Sequence, residues 1–318
     1  MALFFESHMW TLLAFISAVC LGGYDISKKI ALRKNAVVDV LTHSICISSL
    51  LLSIPLVLSR CHPEWMEGTL LYVPSLDLEG HLFTILKSVI VLSSWIFAYI
   101  SLKHLPLSVV SPMQATRPMW TLVGALVLFD ERLNGWQWVG VLLAIGSIFL
   151  FSFRNRNAIH LKRAESGDNR YYICLALAIL IGACSGLYDK YMMRRYDHNA
   201  VQVYYTLYQA IMMVGVWVID RFVKGAKTKG HIAKESIGIQ GILPIIMISV
   251  FLVISDNVYM LALRDPESMI AVVSTIRRGG AVIGFGYGLV VLKEGDIWQK
   301  VTCMAGICAG LVCLAIGS

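Results

Sequence analysis

The sequence predicts an all-α integral membrane protein with ten transmembrane helices, arranged as two inverted five-helix repeats. Three observations lead to this prediction: an apolar composition, ten apolar segments of membrane-spanning length, and a motif that occurs twice. Of the 318 residues, 57% are hydrophobic and 15% are charged, and the mean hydropathy is +0.70. Soluble domains are nearer half apolar and a quarter charged, so this composition excludes a water-soluble globular protein.

The apolar residues fall in ten segments of about 20 residues, the length that crosses a hydrocarbon core of about 30 Å. Backbone groups in lipid must be satisfied within each segment, so each segment is predicted to be a helix. Strands would need shorter segments that alternate polar and apolar residues, and the sequence has none. The predicted helices are Met9–Ala31, Ala36–Leu58, Thr84–Leu102, Leu107–Phe129, Asn134–Phe153, Tyr171–Met193, Val201–Phe222, Ile239–Leu263, Ser268–Leu292 and Ile297–Ile316.

A motif near the end of the first segment recurs near the end of the sixth. Residues 20–37 and 184–201 align without a gap at an offset of 164, and seven of the 18 pairs are identical. The identical pairs include Tyr24-Asp25 and Tyr188-Asp189. A match of this extent predicts that the second half of the chain repeats the first. It also indicates that the first segment is a transmembrane helix of the mature protein and not a cleaved signal peptide.

The number of helices in each repeat predicts how the two halves lie in the membrane. Five is odd, so the second repeat must enter the membrane from the opposite side. Inverted repeats of this kind are typical of secondary transporters, which place the substrate site between the repeats near the bilayer midplane. The predicted domains are a first repeat at residues 1–153, a charged linker at residues 154–170 and a second repeat at residues 171–318.

The distribution of lysine and arginine predicts the orientation. Seventeen of these residues lie on one side of the predicted membrane and seven on the other. The seven include Lys87 and Lys190. The basic loops Arg154–Arg170 and Arg221–Lys234 are therefore predicted to be cytoplasmic in a multi-pass protein of the cell membrane, with both termini outside. These loops account for the net charge of +7, so the expected partners are the lipid bilayer and a small molecule, and no nucleic acid is expected.

The sequence gives no sign of a cofactor or of enzyme chemistry. The eight cysteines lie mostly inside apolar segments, with no CxxC pair and no spacing typical of a metal site. There is no HExxH, GxSxG or Walker motif. We therefore expect no cofactor, no metal and no enzymatic activity.

The two halves share further residues around their fourth and fifth helices. These are Val110-Ser-Pro112, Trp120-Thr-Leu-Val-Gly124, Glu131-Arg-Leu and Trp136-Gln137 in the first half, and Val273-Ser274, Gly288-Leu-Val, Glu294 and Trp298-Gln299 in the second. They resemble the five-helix repeat of the EamA-like branch of the drug/metabolite transporter superfamily. The resemblance implies ten helices, inverted repeats, a central cavity and movement of small organic metabolites or drugs, often coupled to protons. Many such proteins have cytoplasmic termini, in contrast to the charge distribution here.

Ionisable residues inside the apolar segments are the first candidates for the functional site. Arg117 lies near the centre of the fourth segment, and Arg277 and Arg278 lie near the centre of the ninth. A guanidinium at that depth costs at least about 2.5 kcal/mol, so it must face a cavity or a partner. Recurrence in both halves favours substrate binding, in which arginine would grip a carboxylate or phosphate bidentately. The alternative is a structural ion pair, for instance with Asp256.

The acidic residues have two interpretations each. Asp256 lies inside the eighth segment, and it is either a group for proton coupling or the partner that neutralises Arg277 or Arg278. Tyr24-Asp25 and Tyr188-Asp189 lie near the ends of helices one and six and could form gates. We favour a structural role in which each aspartate hydrogen-bonds a nearby helix end and each tyrosine anchors at the interface.

Two glutamates receive a structural assignment. Glu131 and Glu294 precede the fifth and tenth helices. A negative charge at a helix start interacts favourably with the exposed amides there. Each glutamate is therefore expected to stabilise the helix that follows it.

These observations together predict a secondary active transporter of a small organic metabolite. We expect proton coupling, an anionic or zwitterionic substrate, and alternating access around a cavity between the repeats. Multidrug or cation efflux, an uncoupled channel and a membrane receptor are the alternatives that the sequence leaves open. A monomer is compatible with the sequence, which does not fix the oligomeric state.

Overall fold

The structure, a computed structural model, describes residues 9–32, 35–104, 116–154, 169–227, 239–280, 283, 287 and 297–317. Every regular element in these ranges is a helix, and none of the described residues forms a strand. The helices are α1 (Met9–Leu32), α2 (Val37–Cys61), α3 (Pro63–Met66), α4 (Leu78–His104), α5 (Arg117–Leu128), α6 (Gly135–Arg154), α7 (Asn169–Met193), α8 (His198–Lys227), α9 (Ile239–Arg264), α10 (Ile270–Arg278) and α11 (Ile297–Gly317). The all-α prediction is confirmed.

Six helices in the described part of the chain are long and apolar enough to cross a membrane: α1, α2, α4, α7, α8 and α9. They confirm a membrane protein with several transmembrane helices. Parts of the predicted fourth and ninth helices lie outside the described residues, which include α5 from Arg117 onward and α10 as far as Arg278. Glu294 also lies outside them.

The helices of the two halves are paired across the middle of the bundle. Helix α1 packs along α9, where Ser17 Oγ donates a hydrogen bond to the Ser255 carbonyl at 2.8 Å. Helix α4 packs along α7, where Ser94 Oγ donates to the Ala178 carbonyl at 2.9 Å. Each contact therefore joins one helix of the first half to one helix of the second.

Helices α2 and α8 also pair, and their contacts show that they run antiparallel. Near the start of α2, Asp39 Oδ1 accepts hydrogen bonds from Trp217 Nε1 (2.8 Å) and an Arg221 amino group (3.1 Å), both near the end of α8. Near the end of α2, Arg60 donates to Tyr204 Oη at 2.9 Å, near the start of α8. The order of contacts is thus reversed between the two helices.

Helices α6 and α11 form a second antiparallel pair. Asn134, just before α6, donates through Nδ2 to the carbonyl of Gly317 at the end of α11 (2.6 Å). Further along α6, the Ser147 carbonyl accepts a hydrogen bond from Cys303 Sγ near the start of α11 (3.4 Å). The pair is held at both ends.

Glycine allows the backbones of α6 and α11 to approach closely between these ends. A Cβ atom placed on Gly140 would lie 2.7 Å from the Gly310 carbonyl oxygen, and one placed on Gly310 would lie 2.7 Å from the Gly140 carbonyl oxygen. Only residues without side chains fit at such a crossing, as is common between membrane helices.

We predict that Gly140→Ala lowers the free energy of unfolding by about 1–3 kcal/mol, because the added methyl group pushes the two backbones apart. Gly146→Ala, on the same helix, is the matched control, since no described atom lies within 4 Å of a Cβ there. That change should be neutral or slightly stabilising, as alanine favours the helix. Unfolding in detergent measures both variants, and equal tolerance of the two would contradict the close approach.

Candidate functional site

A central cavity of about 440 Å³ lies between the two halves. Helices α1, α4 and α5 line it from the first half, and α7, α8, α9 and α10 line it from the second. Its volume falls within the range of about 300–1,000 Å³ that is typical of small-molecule sites. Seven of the eight predicted site residues line it: Tyr24, Asp25, Arg117, Asp189, Asp256, Arg277 and Arg278.

Tyr188 is the predicted site residue that does not line the cavity. Its hydroxyl donates a hydrogen bond to the Phe83 carbonyl at 3.1 Å. Its ring stacks on that of Tyr191, with 5.9 Å between the ring centroids. Tyr188 therefore packs beside the cavity, next to the main hydrophobic core.

The charged residues of the cavity are mainly cationic. Among the described residues, its charged lining consists of five cations and three carboxylates: Lys28, Lys87, Arg117, Arg277 and Arg278, with Asp25, Asp189 and Asp256. Lys28 and Lys87 are cavity residues that were not predicted from the sequence. Each lies three residues from an end of its predicted apolar segment, so the criterion that identified the arginines, a position near the segment centre, does not identify them.

Arg277 is paired with Asp256. A terminal amino group of Arg277 donates to Asp256 Oδ1 at 2.7 Å and to Ser255 Oγ at 3.2 Å. The guanidinium carbon lies 4.0 Å from the centroid of the Tyr259 ring, a cation–π contact. The geometry agrees with the structural interpretation of Asp256, in which this carboxylate neutralises one of the two arginines of α10.

Lys87 is paired with Asp189. The Lys87 ammonium group donates to Asp189 Oδ1, and both side chains are buried. The ammonium nitrogen also lies 4.6 Å from the centroid of the Tyr205 ring. Two predictions are wrong here. Lys87 lies well inside α4 and not on a loop side of the membrane, and Asp189 bonds a cation and not a helix end.

Arg117 and Arg278 differ from Arg277 because neither forms an ion pair with any residue that the structure describes. Arg117 donates from a terminal amino group to the Gly182 carbonyl at 2.5 Å. A Cβ atom on Gly182 would lie 2.5 Å from the guanidinium carbon of Arg117, so glycine makes room for this contact. Two guanidinium groups thus face the cavity without a carboxylate partner among the described residues.

Asp25 and Lys28 lie one turn apart on α1. The Asp25 side chain is exposed to the cavity, and none of the described residues forms a hydrogen bond or an ion pair with it. The Lys28 ammonium lies 5.5 Å from the centroid of the Tyr24 ring. The sequence predicted that Asp25 forms a hydrogen bond with a nearby helix end. The described residues show no such bond.

The cavity is closed at the side where α7 and α9 end and α10 begins. The main hydrophobic core lies there and includes Trp10, Met192, Leu263 and Ile270. In the opposite direction the cavity lining continues to Lys28 near the end of α1, to Ala98 near the end of α4 and to Ala178 near the start of α7. The cavity therefore extends toward the side with the basic loops.

Glu131 links the two halves at the closed side. Its carboxylate oxygens accept hydrogen bonds from the backbone amides of Ile270 (2.6 Å) and Ala271 (3.2 Å), the first two residues of α10. Burial raises the pKa of Glu131 above its usual range, although these two bonds favour the ionised form. The sequence predicted that Glu131 stabilises the start of the helix that follows it, α6. That prediction is wrong, because Glu131 binds the start of α10.

Lys190 links α7 to the end of α9 at the closed side. Its ammonium donates to the carbonyls of Leu263 (3.4 Å), Asp265 (3.2 Å) and Ser268 (2.6 Å), and also to Ser268 Oγ. The side chain is fully buried. The prediction that Lys190 is a loop cation is therefore wrong, because its ammonium group binds the carbonyl end of α9.

The described residues hold no group of three or more histidine, cysteine, aspartate or glutamate side chains that could bind a metal ion. The polar groups of the cavity are guanidinium, ammonium, carboxylate and hydroxyl groups. This set is suited to binding a charged organic molecule by hydrogen bonds and ion pairs.

Comparison with known proteins agrees with the membrane architecture. Residues 8–153 match the EamA-like transporter family, which confirms the family resemblance found in the sequence. A solved structure described only as "Crystal structure of protein" has a similar fold, with a TM-score of 0.70 and 12% sequence identity over 96% of this chain and 96% of that chain. At this identity the likeness shows the fold alone. No curated protein matches the chain.

We predict that Asp189→Asn lowers the free energy of unfolding by about 3 kcal/mol, because it leaves the Lys87 ammonium buried without its partner. The double variant Lys87→Met/Asp189→Leu removes both charges and should recover most of the loss. Asp130→Asn is the control, since Asp130 and Arg132 form an exposed pair that contributes little. Denaturant unfolding in mixed micelles measures all three, and a harmless Asp189→Asn would contradict a buried pair.

Proposed function

We propose that this chain, whose residues 8–153 belong to an EamA-like transporter repeat, is a secondary active transporter of a small organic anion. The proposed architecture is ten transmembrane helices in two inverted five-helix repeats around the central cavity. The observation that carries the proposal is the pair of guanidinium groups, Arg117 and Arg278, that face the cavity without a carboxylate partner among the described residues.

The packing of the helices supports the inverted repeats. The repeat relates α1 to α7, α2 to α8, α4 to α9, α5 to α10 and α6 to α11. Under this correspondence the contact of α1 with α9 becomes the contact of α7 with α4, and both contacts are extensive. The corresponding helices α2 and α8 run antiparallel, as do α6 and α11. Repeats inserted from opposite sides of the membrane require this reversal.

The revised positions of Lys87 and Lys190 support the proposed orientation. Both were counted on the less basic side, and both are buried in the protein. Without these two residues the loop cations of that side fall from seven to five, and without Lys28, which lines the cavity, those of the other side fall from 17 to 16. The basic side is therefore more strongly favoured as cytoplasmic. In this orientation the cavity extends toward the cytoplasm and the core around Met192 and Ile270 closes the outer side.

The charge balance of the cavity supports an anionic substrate. Asp189 and Asp256 neutralise Lys87 and Arg277. Lys28, Arg117 and Arg278 remain, with Asp25 as the single further carboxylate of the described lining. A guanidinium binds carboxylate and phosphate oxygens through paired, charge-assisted hydrogen bonds. The same excess of positive charge disfavours lipophilic cations, and a zwitterion fits only if its anionic group meets the arginines.

Transport by alternating access requires the closed side to open while the open side closes. At the closed side, Glu131 joins the two repeats by binding the start of α10, and Lys190 joins α7 to the end of α9 within the second repeat. We propose that these contacts break in the outward-open state. Uphill transport further requires a coupled ion, and we propose the proton, because the cavity contains carboxylates that can take one up.

We predict that small carboxylates or phosphate monoesters raise the unfolding temperature of the purified protein, because a ligand that binds the folded state stabilises it. Arg278→Gln and Arg117→Gln should each weaken that binding at least tenfold, or about 1.4 kcal/mol. Arg60→Gln is the matched control, since Arg60 lies outside the cavity and bonds Tyr204. Stabilisation by lipophilic cations and not by anions would contradict the proposal.

We predict that Cys61 reacts with a membrane-impermeant maleimide in intact cells, because it is exposed at the end of α2 on the proposed outer side. The experiment uses a variant in which Cys61 is the single cysteine. A cysteine introduced by Arg170→Cys, at the start of α7, should react only after the membrane is permeabilised. The reverse pattern would overturn the orientation, and labelling of both sites in intact cells would overturn the arrangement of helices.

A further inference from the structure

We propose that Asp25 is the proton-carrying residue of this protein and that it couples the uptake of one proton to the binding of one anionic substrate, as in proton–anion symport. The inference rests on the proposed transport function. It concerns which carboxylate carries the proton, and in which direction the proton and the substrate move relative to each other.

The first observation is an asymmetry between the two copies of the repeated motif. Asp25 and Asp189 occupy equivalent positions at an offset of 164, but within the described part of the chain a cation, Lys87 on α4, is bound to Asp189 and none is bound to Asp25. The same offset places Phe251 of α9 at the position equivalent to Lys87. The Phe251 ring packs against Gly23, 3.0–3.2 Å from the position of a Cβ atom there.

The consequence of this asymmetry is that Asp25 has no fixed partner among the described residues. In the α1–α9 contact the Phe251 ring lies at the position that corresponds to the Lys87 ammonium group in the α4–α7 contact. Asp25 therefore has no ion pair or hydrogen bond with any residue in the described ranges, and its side chain is exposed to the cavity. Asp189 and Asp256, in contrast, are each bound to a cation.

The second observation is the set of charges that face Asp25. Lys28 lies one turn further along the same helix, and Arg277 and Arg278 come from α10. Asp256 of α9 and the Tyr24 hydroxyl also face this region of the cavity. Arg278 is close enough for electrostatic interaction with Asp25, and it has no other carboxylate partner among the described residues.

The third step is the linkage between the proton and the anion. An ionised Asp25 competes with the substrate oxyanion for the positive charge of Arg278, whereas a protonated Asp25 leaves that charge available. Protonation of Asp25 therefore raises the affinity for the anion, and by reciprocity the bound anion favours protonation. The proton and the anion bind together on one side, cross together, and are both released to water on the other side.

The position of Asp25 suits this role. Asp25 lines the cavity together with the two arginines of α10 and with Lys28 on α1, whose end lies at the side toward which the cavity extends. A carboxylate that exchanges protons must be accessible to water in each of the two transport states. Asp256 is less suited, because its proton would have to displace the Arg277 guanidinium at 2.7 Å.

The test uses purified protein in proteoliposomes with an anion selected by thermal shift. Wild-type protein should accumulate the anion when the outside is acidified, and the apparent KM for anion exchange should rise with pH, up to tenfold per pH unit. Asp25→Asn imitates the protonated carboxylate, so exchange should persist with a KM that no longer depends on pH, and the imposed pH gradient should drive no accumulation. Asp25→Ser is a second neutral variant in case the first does not fold.

Asp39→Asn is the matched control, because Asp39 is a buried carboxylate bound to Trp217 and Arg221 outside the cavity. It should accumulate the anion like the wild type. Accumulation driven by the pH gradient in a folded Asp25→Asn or Asp25→Ser variant would overturn the proposal, and so would loss of anion exchange in both variants. Absence of anion exchange in the wild-type protein would instead overturn the proposed function, so the two failures are distinguishable.

Discussion

The structure depends on the need to neutralise charges that are buried among membrane helices. An isolated guanidinium or ammonium group in this environment has a high free energy, so such groups persist only with partners or beside a polar cavity. Lys87 with Asp189 and Arg277 with Asp256 satisfy this constraint through ion pairs that join different helices. Each pair joins helices that line the cavity, so the same contacts also fix its shape. Arg117 and Arg278 line the cavity without an ion pair to any described residue, and in the proposed function they bind the substrate.

The second organising feature is the pairing of helices across the two halves. The extensive contacts join a helix of one half to a helix of the other, as α1 joins α9 and α4 joins α7. The cavity therefore lies at an interface whose two sides have related sequences but different side chains. Lys87 and Phe251 at equivalent positions illustrate how a duplicated scaffold acquires an asymmetric site. One copy of the repeated aspartate is fixed by a cation, and the other faces the cavity.

The sequence predicted the helical membrane architecture and seven of the cavity residues. These follow from properties that can be read along the chain: apolar length, the depth of a charge within an apolar run, and the repeated Tyr-Asp motif. The predictions from sequence were wrong for side chains whose binding partners lie far away along the chain. Glu131 was assigned to the helix that follows it, yet it binds the amides of Ile270 and Ala271, about 140 residues away. Lys87 and Lys190 were assigned to loops because a count of charges contains no information on which of them fold inward.

The central claim is that the cavity is built for an organic anion, and matched pairs of small molecules test it most directly. Each pair consists of a carboxylate and the primary amide with the same carbon skeleton, which differ in charge but hardly in size. We expect the carboxylates to raise the unfolding temperature of the purified protein and the amides to leave it unchanged, because only the carboxylate neutralises the guanidinium groups of Arg117 and Arg278. Equal stabilisation by both members of each pair, or stabilisation by the corresponding amines alone, would contradict the account.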